Sequence, residues 1–135
     1  MNKTTDNRYL ISAVFFTLTC FYGFFPTVAQ ASSVTGRYLS HTGPTIVLEI
    51  SISKPTPSSI IVEQSIAKSN TIQSVSPNPK KVTKNGQIKW LLTNLRPGKQ
   101  RLTTQLSGQL NGNVRGVLRY RDPDSGQFTE VIITP

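Results

Sequence analysis

Cysteine is nearly missing from this chain. Of 135 residues only Cys20 is one, and it lies in an apolar leader, so residues 32–135 can close no disulfide and build no thiolate metal site. Histidine is as scarce: His41 is the single copy, in "YLSHTGPT", with no cysteine beside it and no nucleophile-elbow motif around it. Acidic residues number six against fifteen Lys and Arg. Chemistry that needs a nucleophile with its base, or two carboxyl groups at a working distance, finds little material here. Zinc spacing and phosphate-cradling glycine loops are also missing. "DPDSG" at residues 122–126 offers oxygen ligands and a bend, but it lacks the further ligands and distal Glu of a calcium loop and reads as a hairpin turn. The expectation is a protein that is not an enzyme and uses no cofactor or metal.

What the N-terminus does have is a long apolar run. Lys3 and Arg8 precede residues Tyr9 to Phe25, followed by Pro26 and small residues ending Ala29-Gln30-Ala31. Basic, apolar and A-x-A regions in that order are the pattern of a secretory signal peptide, predicted as a helix over residues 1–31 with cleavage after Ala31. A membrane-spanning anchor wants about 20 apolar residues, so this run is short for one, though an uncleaved leader would tether the protein. A lipoprotein reading of Cys20 is weak, because Thr17-Leu18-Thr19 lacks the leading Leu and final small residue of a lipobox. Residues 32–135 are therefore expected to form one secreted or cell-surface domain, whose core holds without disulfides, as suits a bacterial exported protein.

That domain is strongly basic. Two of the fifteen cations and one of the six acidic residues precede Ser32, leaving thirteen against five and a formal charge of +8. Outside a cell such an excess favours an anionic polysaccharide, a membrane surface, extracellular DNA or an acidic protein through attraction that salt weakens. Solubility alone is the competing explanation.

From Gly36 onward the apolar pattern has period two, and no stretch has the i, i+3, i+4, i+7 spacing of an amphipathic helix. "TIVLEISIS" puts Ile46, Leu48, Ile50 and Ile52 on one face and Val47, Glu49 and Ser51 on the other. "SIIVEQSI", "NTIQSVS", "QIKWLLT", "QRLTTQLSG", "NVRGVLRYR" and "QFTEVIIT" follow, separated by turn signals at Pro55 to Ser58, Asn85-Gly86, Asn111-Gly112 and Asp122 to Gly126. Ser32 to Thr35 read as a flexible lead-in and "SPNPKKVTKNG" as a loop. About seven short strands without helices predict an all-β, antiparallel immunoglobulin-like β-sandwich over residues 32–135.

Trp90, the single tryptophan, alternates with Ile88 and Leu92, so the three must be buried or exposed together. Burial is the expected outcome, with Ile46, Leu48, Ile50, Leu102, Leu106 and Leu118 in the same core.

The stretch "IIVEQSIAKSNTIQSVSPNPKKVTKNGQIKWLLTNLRPGKQRLTTQLSGQLNGNVRG" carries Glu63 on a strand, Gly86-Gln87-Ile88-Lys89-Trp90, and the turn Leu95-Arg96-Pro97-Gly98. In these features it resembles bacterial extracellular immunoglobulin-like modules of the DUF11 or conserved-repeat type. Ile66-Ala67-Lys68-Ser69-Asn70 departs from the proline-glycine turn of those modules. The resemblance spans roughly residues 44 to 120 and implies a sandwich fold in a surface or secreted setting, without assigning an activity.

The cations give the remaining lead. In "NVRGVLRYRD" Arg115, Arg119 and Arg121 share a strand face with Val117, and Lys89 points away from Trp90. If the two strands lie in one sheet, Lys89, Arg115, Arg119 and Arg121 form a basic stripe flanked on loops by Lys80, Lys81, Lys84, Lys99 and Arg101, suited to sulfate, phosphate or carboxylate groups. A solvated sheet face with protective edge charges is the bland alternative. Tyr120 faces the other way, so the stripe lacks the aromatic interleaving that reads single-stranded nucleic acid. The leading expectation is a non-catalytic adhesive or matrix-associated module contacting anionic polymers. Its rival is a structural subunit that self-associates or joins an envelope protein by strand addition, with "QFTEVIITP" as the exposed or donated strand.

Overall fold

The computed structural model describes residues 32–135, and the leader and its cleavage point lie outside them. Nine strands follow one another: β1 (Val34–Ser40), β2 (Thr45–Ile52), β3 (Ser59–Ile66), β4 (Ile72–Ser76), β5 (Lys81–Val82), β6 (Gln87–Thr93), β7 (Gly98–Leu106), β8 (Val114–Arg121) and β9 (Phe128–Ile133). They form two antiparallel sheets, in the orders β1-β2-β7-β4 (sheet 1) and β5-β6-β3-β8-β9 (sheet 2), with no helix among the described residues.

Two strands exceed the seven that the alternation marks out. β5 has only two residues inside a stretch with loop composition. β1 is hidden for a better reason: its inward positions are Val34, Gly36 and Tyr38, and a glycine leaves no apolar mark at the middle of the pattern. A Cβ at Gly36 would stand 2.2 Å from the Ile133 Cδ1 atom of β9, so any larger residue would force that side chain to move. The expected flexible lead-in is accordingly ordered: Val34 is fully buried, the Ser53 amide donates to the Ser33 carbonyl at 2.8 Å, and the Ser32 and Tyr120 hydroxyls lie 2.6 Å apart.

The inward residues of both sheets meet in a single core. Ile46, Leu48 and Ile50 of β2 and Leu102 and Leu106 of β7 face Ile60 and Val62 of β3, Ile88 and Trp90 of β6, and Leu118 and Tyr120 of β8. Trp90 is 1% exposed, and its indole Nε1 donates to the Pro77 carbonyl at 2.9 Å, which satisfies the one polar atom the ring brings inside. Leu92 is only partly buried, at the edge of the same core. Among the described residues the buried apolar side chains run from Val34 to Ile133 and form one core cluster.

Inward parity also carries polar groups. Gln64 of β3 is 1% exposed, and among the described residues neither its side-chain oxygen nor its nitrogen finds a partner; the Tyr38 and Thr104 hydroxyls are likewise unpaired there. Burial pushes the Tyr38 phenol well above its ordinary range.

Candidate functional site

Registration of the strands decides which charges meet. In sheet 2, β6 and β8 flank β3, with Glu63 opposite both Lys89 and Val117, and Ile61 opposite Arg119. Lys89, Arg115, Arg119 and Arg121 therefore do share the outer face of one sheet. They are not equivalent there. The Lys89 ammonium lies 2.9 Å from Glu63 Oε1, the Arg119 guanidinium binds Glu63 Oε2, and its Nε donates to Glu130 Oε2 of β9 at 2.7 Å. The four side chains form a diagonal of alternating sign across β6, β3, β8 and β9, neutral in sum. Lys89 first, with Arg119, holds the Glu63 carboxyl below its usual range, and Glu130 first, with Glu63, raises the Arg119 guanidinium.

Arg115 and Arg121 stand outside this diagonal. Arg115 is exposed and makes no ion pair among the described residues. Arg121 lies with its guanidinium carbon 4.8 Å from the Phe128 ring centroid and donates to the Gly126 carbonyl at 2.9 Å. The strand register thus supplies an aromatic-basic contact that intrastrand alternation, which turns Tyr120 inward, could not reveal. Lys81 is on β5, opposite Lys89, rather than in a loop.

Two of the expected flanking residues belong elsewhere. Lys99 and Arg101 are on β7, in sheet 1, and their outer face looks away from the Arg115 face. There, Arg37 of β1 and Arg101 of β7 stand opposite Glu49 of β2, with Lys99 one outward position along. Arg37 donates from Nε and Nη2 to Glu49 Oε1 at 3.1 and 2.8 Å. Lys99 Nζ lies 3.4 Å from the same oxygen, and Arg101 Nε is 3.5 Å from Oε2. The outward parity of Glu49 is as the sequence implies, yet its side chain is only 1% exposed because these three cations roof it. Arg37 foremost, then Lys99, holds its carboxyl below the ordinary range against the opposing effect of burial.

The other features single themselves out less. His41 lies in the β1–β2 connection and lines an open depression of about 430 Å³ with Leu110, Arg115 and Thr134, and no Asp or Glu side chain lines it. Asp122 Oδ1 accepts from the Ser125 amide at 2.8 Å, the Ser125 hydroxyl at 2.9 Å and the Asp124 amide at 3.1 Å, so "DPDSG" is a self-bonded turn joining β8 to β9. The Ser125 amide foremost holds the Asp122 carboxyl below its usual range. Among the described residues no three His, Cys, Asp or Glu side chains are grouped to hold a metal.

No family model matches the chain, and neither does any curated protein. Among solved structures it is similar to the Mu homology domain of Danio rerio Fcho1 with bound Eps15 peptide, at 13% identity and a TM-score of 0.40. The match covers 73% of this chain but only 41% of that one, so this chain aligns with less than half of its length.

Proposed function

We propose that residues 32–135 are a non-catalytic, exported immunoglobulin-like module that sits at the cell surface or in its matrix and contacts anionic polymers through the outer face of sheet 2. The observation that carries the reading is the pair Arg115 and Arg121. They stand on one strand face beside a neutral diagonal, in a domain of formal charge +8, so their charge is left for a partner. Lys89 and Arg119 complete the face as its anchored members.

Strand order supports the immunoglobulin-like type. The spatial sequence β1-β2-β7-β4 against β6-β3-β8-β9 corresponds to A-B-E-D against C′-C-F-G of that fold, although β4 precedes β6 in the chain. Of the residues that carry the DUF11-like resemblance, Gly86 precedes β6, Gln87 to Trp90 begin it, and Leu95 to Gly98 lead into β7. Export rests on the leader pattern of residues 1–31 and on the cysteine-free domain behind it.

Retention on a heparin-type resin tests the polymer reading. Arg115→Ser with Arg121→Ser is expected to elute at clearly lower salt than a charge-matched Lys68→Ser, Arg96→Ser control. Equal shifts would mean that diffuse charge, and no particular face, is responsible.

A second reading, a subunit joined by strand addition, is favoured by one feature. β9 is an edge strand of sheet 2, with Phe128 76% and Ile132 53% exposed. Light scattering of residues 32–135 at rising concentration separates the two, because a persistent monomer excludes self-addition.

A further inference from the structure

We infer that the outer face of sheet 1 carries a second oxyanion site, formed by Arg37, Lys99 and Arg101 around Glu49, and that its ligand is a sulfated polysaccharide. The site goes beyond the sheet 2 reading and does not depend on it.

Three cations at one spot are ordinarily dispersed by repulsion and by the entropy of long side chains. Here one carboxylate converges them. Arg37 Nη2 and Lys99 Nζ are bound to the same Glu49 oxygen at 2.8 and 3.4 Å, so they are no more than about 6 Å apart, and Arg101 reaches the other oxygen. A tetrahedral oxyanion accepting from each donor at about 2.8 Å bridges such a gap. Glu49 also spends little of the donors' capacity. Each arginine offers five N–H groups and the lysine three, and the three side chains remain 61 to 67% exposed while Glu49 itself is 1% exposed. The cluster is left with two net positive charges, already gathered, so a ligand is spared most of the ordering that a floppy surface lysine demands.

The surroundings select the polymer. Outward neighbours on β2 and β7 are Thr45, Ser51, Thr103 and Gln105, hydroxyl and amide groups suited to sugar hydroxyls, together with the aliphatic Val47, and no aromatic ring among them on which a base could stack. A flat sheet face also matches neither groove of duplex DNA, the major one of which takes a helix or a two-stranded ribbon. The sites of the two sheets look in opposite directions. A domain that uses both is bivalent and joins two polymer chains.

Titration calorimetry of residues 32–135 with a short heparin-derived oligosaccharide tests this, since a short ligand cannot reach around the domain. Two equivalents are expected. Arg37→Ser, Lys99→Ser, Arg101→Ser should lose one equivalent and Arg115→Ser, Arg121→Ser the other. Lys99→Gln, which leaves Glu49 between both arginines and so spares the fold, should weaken one equivalent about tenfold. A single equivalent lost only in the Arg115, Arg121 variant overturns the sheet 1 site and leaves the sheet 2 reading standing. A single equivalent lost only in the sheet 1 variant supports this site and overturns the sheet 2 assignment. No binding at all removes both. A single-stranded oligonucleotide that fills the sheet 1 site as tightly as the oligosaccharide overturns the choice of polymer.

Discussion

Gln64→Met should make the domain more stable, a rare direction for a substitution at a fully buried position. Gln64 points inward from the central strand of sheet 2, between Ile88 of β6 and Gly116 of β8 in register, and its carboxamide has no partner on either atom. Leaving a buried donor or acceptor unpaired costs about 1–3 kcal/mol per group. Methionine has the same length and no hydrogen-bonding demand, so it removes both penalties and returns a misfit of up to about 1.5 kcal/mol for the altered tip. Two such penalties less the misfit leave a gain of at least about 0.5 kcal/mol. For a domain of this size each kcal/mol raises Tm by about 4–8 °C. Urea unfolding of residues 32–135, followed by Trp90 emission, should show a higher midpoint at unchanged slope. A lower midpoint for Gln64→Met would refute the reasoning, because it would mean that the carboxamide is satisfied in solution and contributes to the fold.

Two further outcomes follow from the same structure. Glu49, Glu63 and Asp122 all have carboxyls held below their ordinary values in the folded state. Their contribution to stability is therefore full above the unfolded carboxylate range, about pH 4, and is lost as pH falls below it through the folded values; urea midpoints measured from pH 6 down to pH 2 should decline in that window, less steeply for Glu63→Gln. Trp90 emission should be blue-shifted and resist quenching by acrylamide, and Trp90→Ala should cost about 3–5 kcal/mol in urea unfolding; a red-shifted, readily quenched indole in the folded domain would invert the assignment of inner and outer faces.

Alternation along single strands was readable because side-chain parity is a local property of an extended chain. It places Trp90 inside, Arg115, Arg119 and Arg121 outside, and even Gln64 at an inward position, where the run Ile60, Val62, Gln64, Ile66 marks it as a polar intruder. Parity says nothing of which sheet a strand joins. Lys99 and Arg101 were grouped with the Arg115 face by sequence and charge, yet β7 pairs with β2, and their outer face is the opposite one. It also says nothing of register. The roofing of Glu49 joins residues 12 apart in sequence to others 52 apart, and the neutral diagonal joins Glu63 to Arg119 across 56. β1 is not legible by alternation because its central inward residue is a glycine, packed against Ile133 near the other end of the domain. The signal for the Glu49 site was present only as a carboxylate in the middle of an otherwise apolar strand of a basic protein.

Both sheets solve the same electrostatic problem in the same way. A glutamate on a central strand, Glu49 on β2 and Glu63 on β3, is gripped by cations from the strands on either side. Strands lie about 4.8 Å apart, so cations on either side of the glutamate strand stand about 10 Å apart, where like charges in water repel by less than about 1 kcal/mol. What the carboxylates change is order: each converts scattered cations into a fixed group. The sheets then diverge. In sheet 2 a second carboxylate, Glu130, continues the diagonal and neutralises it, so positive charge remains only at the margins, on Arg115, Arg121 and Lys81. In sheet 1 no second carboxylate joins the cluster among the described residues, and the excess stays at the centre, on groups already convergent. A polyanion on sheet 2 is thus held at its rim and can slide or tilt, whereas one on sheet 1 is held at a point. Salt should weaken both, and the dispersed rim more steeply than the partly buried cluster, because screening acts least where charges lie closest to one another and to protein.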